Sequence, residues 1–127
     1  MSCNVYKIAS AATTNLTQIG SSDMATVLKG WTIINTNAAM RFVKFYWGPP
    51  GTFSSSGTQP TVGTDVPKIT VGVAAPATTV TPGYTSQSFP DGIRGAGSLW
   101  VATTANAADS DATAVSSGDL FISIYYE

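Results

Sequence analysis

The sequence predicts an all-β fold: an antiparallel β-sandwich, jelly-roll-like, with about 7–9 strands. Short runs rich in β-branched and aromatic residues recur along the chain, separated by clusters of Gly, Pro, Asn, Asp and Ser. None of these runs has the period of an amphipathic helix. The 127 residues suffice to bury a core within one domain. We expect residues 1–12 to form an N-terminal strand or arm and residues 13–127 a single β-sandwich domain.

The strongest strand signal is the run of residues 40–47, MRFVKFYW, which contains neither Gly nor Pro. Side chains alternate between the two faces of a strand. One face is apolar and should pack against the core; it carries Val43, Phe45 and Trp47. The other face is interrupted by a lysine and is expected to be half-exposed; it carries Phe42, Lys44 and Tyr46. Two prolines follow and end the strand, which we expect to be central in the domain.

Further stretches are candidate strands. In chain order they are residues 5–8, 13–19, 24–35, 66–73, 78–81, 84–89, 98–104 and 120–126. The first of them is either a strand or an extended arm that reaches a neighbouring subunit. Asn35-Thr36-Asn37 has turn chemistry because Asn bonds its own backbone. We therefore predict that residues 24–35 and 40–47 form an antiparallel hairpin. Pro90-Asp91-Gly92 predicts another turn.

Two stretches rich in small and polar residues, 48–67 and 105–118, predict long loops. Phe53 lies in the middle of the first loop without an obvious local core. It either anchors a partner or folds back over the edge of the sandwich.

The composition excludes several classes of function. Charged residues make up only 10% of the chain and the net charge is −1, so a basic nucleic-acid-binding surface is not expected. There is no histidine and a single cysteine, Cys3, so neither an internal disulfide nor a His-based site is expected. A surface low in charge suits a protein covered by neighbours in an assembly. An ordinary sandwich with hydroxyl-rich turns would have the same composition.

The sequence predicts no membrane association. The N-terminal residues lack the basic-then-apolar layout of a signal peptide, and no apolar run is long enough to cross a bilayer. We therefore expect synthesis in the cytoplasm.

No catalytic constellation is present, so we expect a protein that is not an enzyme and has no cofactor or metal. The glycine-punctuated run of residues 92–97 lacks the strand–loop–helix context of a nucleotide site and predicts a flexible loop or bulge. Asp109-Ser110-Asp111 has closely spaced oxygen ligands but lacks the complete calcium-loop pattern, which favours a solvated turn.

Aromatic side chains on a β-sandwich are also able to stack on sugars, which makes a carbohydrate-binding module an alternative. The candidates are Trp31, Trp47, Trp100, Tyr84 and Tyr125. Most of them lie within candidate strands, where packing in the core is their usual role.

Several spaced motifs resemble a group of small structural proteins of tailed-bacteriophage virions. They are NTNAAMRFVKFY at residues 35–46, PTVGTDVP at 60–67, FPDGI at 89–93, GSL at 97–99 and ADSDATAV at 108–115. The similarity extends from about Asn35 to the C-terminus, and residues 52–57 look like an insertion in it.

The resemblance implies a non-enzymatic β-sandwich virion protein made in the cytoplasm of the host bacterium. We favour a capsid decoration or cement protein, a homotrimer that binds the major capsid protein on the capsid surface. A tail, neck or fibre component is the nearest alternative, and a sugar-binding module on the virion is a third. Candidate partner-contact residues are Val5, Tyr6, Lys7 and Ile8 in the N-terminal stretch, and Phe53, Tyr84 and Trp100.

Overall fold

The computed structural model describes residues 3–20, 26–49, 51–54 and 58–127, which form eight β-strands. In chain order they are β1 (Asn4–Ala9), β2 (Thr17–Ile19), β3 (Val27–Asn35), β4 (Arg41–Gly48), β5 (Ile69–Val73), β6 (Gly83–Arg94), β7 (Ser98–Thr104) and β8 (Leu120–Tyr126). Within these ranges there is no helix, and hence none long and apolar enough to span a membrane.

The strands form two four-stranded antiparallel sheets. The first sheet has the order β1-β8-β3-β6 and the second sheet the order β2-β7-β4-β5. The chain changes sheet at every connection except the one from β4 to β5, which gives the strand order of an eight-stranded jelly roll. The predicted antiparallel β-sandwich is confirmed. Strand β4, expected to be central, is an inner strand, and so is β8.

The core lies between the two sheets and is centred on an aromatic contact. The ring of Trp31 on β3 stacks on Phe45 on β4, with ring centroids 5.3 Å apart, and Phe89 on β6 meets the edge of Trp31 at the same distance. The predicted inward face of β4 is confirmed, since Val43, Phe45 and Trp47 are all buried. The stacking of Trp31 on Phe45 therefore joins the two sheets, because one ring comes from each sheet.

The predicted hairpin of residues 24–35 and 40–47 is wrong. Strand β3 lies in the first sheet and β4 in the second, and Asn35-Thr36-Asn37 turns the chain from one sheet to the other. The fully buried Asn35 explains the turn: its Nδ2 donates to the carbonyls of Ala39 and Val73, both at 3.0 Å, and its Oδ1 accepts from the Asn37 N–H at 2.9 Å. Strands β3 and β4 each have an apolar inward face, and their placement in two facing sheets buries both of these faces.

The predicted turn at Pro90-Asp91-Gly92 is also wrong. These residues belong to β6, which is an edge strand and therefore tolerates a proline. The pairing of β3 with β6 is irregular between Leu28 and Gly30, and Gly92 has a φ of 75°. Residues 89–92 accordingly form a bulge within β6, and residues 95–97 of the glycine run connect β6 to β7. Residues 78–81, a candidate strand, form a bend instead.

A polar network at one end of the sandwich stabilises the corner at Asn35-Thr36-Asn37, where the chain passes from the first sheet to the second. The Asp119 carboxylate, at the start of β8, accepts hydrogen bonds from Arg41 Nε at 3.1 Å, Asn37 Nδ2 at 3.0 Å and the Ser116 N–H at 2.9 Å. Burial acts to raise the pKa of Asp119, but these bonds and the charge of Arg41 outweigh it and hold the pKa below its ordinary value.

Because the pKa of Asp119 is lower in the folded chain than in the unfolded chain, its ionised form stabilises the fold above the ordinary carboxyl pKa of about 3.9. That stability is lost as the pH falls through the acid range. We predict that Asp119→Asn lowers the free energy of unfolding by about 1–3 kcal/mol at pH 7 and flattens its fall toward pH 2. Urea unfolding across this pH range measures both effects.

The matched control is Asp91→Asn, which replaces an exposed aspartate on the edge strand β6. It should leave both the free energy at pH 7 and the acid dependence near wild type. An unchanged acid slope in Asp119→Asn would contradict the role of the corner network.

Candidate functional site

The middle of the outward face of the second sheet is covered by the chain itself, whereas Thr70 and Gly72 on the edge strand β5 stay exposed. Lys44 and Tyr46 on β4 point away from the core, yet both are fully buried, so the prediction of a half-exposed face is wrong for them. The Lys44 ammonium donates to the carbonyl of Ala108 at 2.7 Å and to that of Asp111 at 3.1 Å. The loop of residues 105–115 therefore lies across β4, more than sixty residues from Lys44 in sequence.

The covering loop is held in shape by its own aspartate. The Asp111 carboxylate accepts from the backbone N–H and Nδ2 of Asn106 and from the backbone N–H and Oγ1 of Thr113, at 2.8–3.2 Å. The Asp111 carboxylate thus bonds to donors of its own loop. In the described ranges no three His, Cys, Asp or Glu side chains are grouped so that they could hold a metal ion.

Burial shifts the pKa values of Lys44 and Tyr46, the two buried ionisable groups on this face of β4. Burial lowers the pKa of Lys44, while the charges of Asp111 and Asp109 oppose that effect. Burial also raises the pKa of Tyr46 to about 12, with the charges of Asp65 and Asp109 adding to it. Both side chains are fully buried, so neither is placed to meet a substrate.

The outward face of the first sheet carries no such cover among the described residues. Strand register places Ala9, Phe121, Ile34 and Tyr84 side by side across all four strands. We call these four residues the apolar row. Phe121 is 45% exposed and Tyr84 63% exposed, although both are large aromatic side chains. Exposed aromatic side chains in a continuous row are typical of a protein interface.

The adjoining row on the same face consists mainly of hydroxyl side chains. Its members are Lys7, Ser123, Thr32 and Ser86, again in register across the four strands. The Thr32 hydroxyl lies 3.1 Å from the Tyr125 hydroxyl and 3.4 Å from Ser86 Oγ. Only Lys7 in the two rows is charged, so the face suits an uncharged protein surface better than a polyanion.

The structure divides the sequence-predicted contact residues among several places. Val5, Lys7 and Tyr84 lie on the outward face of the first sheet, whereas Tyr6 and Ile8 face the inner side of β1. Phe53 folds back toward β4: a Cβ on Gly48 would lie 2.7 Å from its Cζ.

Trp100 lies on the second sheet opposite Tyr46, and its indole N–H donates to Ser98 Oγ at 3.0 Å. Among the aromatic residues considered for sugar stacking, Trp31 and Trp47 are buried in the core. Neither tryptophan offers an open ring face to a sugar.

Sequence reasoning missed the members of the apolar row other than Tyr84. Phe121 was assigned to a strand without a face, Ile34 was placed on the face opposite Trp31 but not named as a contact residue, and Ala9 was not singled out. The signal was present in residues 120–126, where Leu, Ile and Ile alternate with Phe, Ser and Tyr. The alternation identifies an inward and an outward set, but only the register of four strands brings the outward residues into one row.

A groove at the edge of the sandwich between β5 and β6 is a further open site. Its volume is about 510 Å³, within the usual range of small-ligand sites. Trp47, Ile69 and Ile93 form its apolar part, and the side chains of Lys68 and Arg94 line it as cations. In the part of the chain described, neither cation has a carboxylate partner. The groove therefore suits a small anionic ligand with an apolar portion.

Comparisons of this chain with protein-family models, with curated proteins and with solved structures returned no match.

We predict that Lys44→Met loosens the loop of residues 105–115, because the two carbonyls that Lys44 bonds lose a charged donor. The free energy of unfolding should fall by about 1.5–3 kcal/mol. Amide hydrogen exchange measured by mass spectrometry should show faster exchange across the loop.

Lys68→Met is the control, since it removes the same charge from an exposed side chain. It should leave exchange in the loop unchanged. Equal protection of the loop in Lys44→Met and wild type would contradict the assignment of Lys44 as its anchor.

Proposed function

We propose that this chain is a non-enzymatic structural protein of a bacteriophage virion, and that it is a capsid decoration or cement protein. In this proposal it binds the major capsid protein on the outside of the shell as a homotrimer. Its activity is binding without turnover.

The observation that carries the proposal is the difference between the two outward sheet faces. The middle of the second sheet, around Lys44, is covered by residues 105–115, whereas the first sheet presents the apolar row and a hydroxyl row. A sheet face with exposed Phe121 and Tyr84 and one lysine offers contact area with little charge to desolvate.

The strand order and the motifs support the same assignment. Jelly rolls occur in viral capsid and lectin domains, among others. The residues that carry the resemblance include Asn35, Lys44 and Asp111, which make the hydrogen bonds of the corner and of the covering loop. The motifs therefore support a shared fold, and the contact face lies largely outside them.

The mechanism is linkage between binding and shell stability. A protein that binds the assembled shell and not its dissociated subunits stabilises the assembled state by mass action. In this proposal each copy buries Phe121 and Tyr84 against capsid surface, which places two aromatic side chains at the centre of the contact.

We predict that Phe121→Asp weakens binding to capsids that lack the protein by about 2 kcal/mol or more, roughly 30-fold in Kd, because it buries an unpaired carboxylate. Co-sedimentation of purified protein with such capsids measures the change. Because Phe121 is partly exposed, the variant should fold normally, which circular dichroism checks.

Val66→Asp is the matched control, since Val66 is also an exposed apolar side chain and lies in the connection from β4 to β5. Its binding should equal that of the wild type. Full capsid binding by Phe121→Asp, or equal loss in both variants, would contradict the assignment of this face.

A tail, neck or fibre component is the nearest alternative. Phage that lack the gene distinguish the two: loss of a cement protein leaves fragile capsids, whereas loss of a tail component leaves filled heads without complete tails.

The groove beside Trp47 favours glycan binding on the virion as a second candidate function, with Lys68 and Arg94 placed to meet an acidic sugar. Titration with an acidic host polysaccharide, followed by tryptophan fluorescence, tests it. A response that Arg94→Ala removes and Trp100→Ala retains would favour the groove, whereas no response would exclude this candidate.

A further inference from the structure

The outer edge of β1 has a row of free backbone groups. Among the strands of the described residues, β1 is one edge of the first sheet and pairs with β8 alone. The Ser10 N–H donates to the Leu120 carbonyl at 2.9 Å, which fixes which residues of β1 bond to β8. Because residues alternate along an antiparallel ladder, the N–H and C=O groups of Val5, Lys7 and Ala9 point away from β8.

The other three sheet edges are less open to pairing. Strand β6 contains Pro90, whose carbonyl accepts from Lys29 Nζ at 2.7 Å, and its register is irregular. Strand β2 has three residues, and the carbonyl of Val73 at the end of β5 accepts from Asn35. Strand β1 instead has six residues in regular register, without proline or bulge. An edge of this kind is complementary to another extended strand.

We propose that the edge of β1 binds β1 of a second copy of this chain, antiparallel and across a twofold axis at Tyr6. The first sheets of the two copies then form one continuous eight-stranded sheet. This twofold contact is distinct from any threefold contact within a trimer. It concerns self-association and does not depend on the virion assignment.

The register between the two β1 strands follows from the backbone groups that point away from β8 and from the charge of Lys7. The outward-pointing residues of both copies have to face one another, and among the registers that allow this, those centred on Tyr6 or on Lys7 overlap most of the six-residue strand. Centring on Lys7 would place two lysines directly opposite each other, which is destabilising. Centring on Tyr6 places Val5 opposite the Lys7 of the other copy, and each such pair exchanges two backbone hydrogen bonds.

The pairing also covers the exposed apolar side chains of the strand. Val5 is 51% exposed and Tyr6 38% exposed in the isolated chain. The two Tyr6 residues meet in a pair without hydrogen bonds, where the Cα atoms lie about 4.5 Å apart. That spacing is within the range that a disulfide spans.

The test is disulfide trapping of the purified protein in a Cys3→Ser background. Tyr6→Cys should cross-link under mild oxidation to twice the 13.1 kDa chain mass on a non-reducing gel. Ala9→Cys is the matched control, because the proposed register holds the two Ala9 residues roughly 20 Å apart. It should remain uncross-linked.

A second pair of variants tests the backbone edge itself. Lys7→Pro removes an N–H that points away from β8, so it should leave the fold intact and abolish the Tyr6→Cys cross-link. Lys7→Thr keeps the N–H and should retain the cross-link. In the wild-type background, sedimentation equilibrium should show that Lys7→Pro halves the particle mass and that Lys7→Thr does not.

Cross-linking of Ala9→Cys as efficient as that of Tyr6→Cys, no cross-link at Tyr6→Cys, or a particle mass insensitive to Lys7→Pro would overturn the proposal. None of these results bears on whether the chain is a virion protein, so the two proposals fail independently.

Discussion

The hydrogen bonds of the Lys44 ammonium to the carbonyls of Ala108 and Asp111 determine which face of the molecule is free. A buried ammonium needs partners, and here the loop of residues 105–115 supplies them. The loop in turn is shaped by the Asp111 carboxylate. Because the loop lies over β4, the middle of the outward face of the second sheet is occupied within the molecule, while the first sheet presents the apolar row. The proposed binding role follows from that asymmetry.

The corner at Asn35 sets the topology that makes the asymmetry possible. Its buried amide, together with the bonds of Asn37 and Arg41 to Asp119, directs the chain from the first sheet to the second. The same crossing places Trp31 opposite Phe45, so the change of sheet also brings the two stacked rings of the core together. Polar side chains thus specify the connection and apolar ones hold the layers together.

Local patterns in the sequence predicted what depends on alternation within one strand. The fold class, the inward face of β4 and the strand character of residues 120–126 were all correct. The hairpin at residues 35–37 was wrong because a turn motif does not specify whether the next strand stays in the same sheet. The prediction that Lys44 is half-exposed was wrong because the loop that covers it lies more than sixty residues away in the sequence. The apolar row depends on the register of four strands, which no single segment encodes.

We propose above all that the outward face of the first sheet contacts a capsid shell. Cryo-electron microscopy of virions that carry this chain tests it most directly. We expect density for the chain at regular positions over the shell, at or near local threefold axes, with Phe121 and Tyr84 facing the major capsid protein. Density confined to the tail or portal vertex, or a second sheet facing the shell, would contradict it.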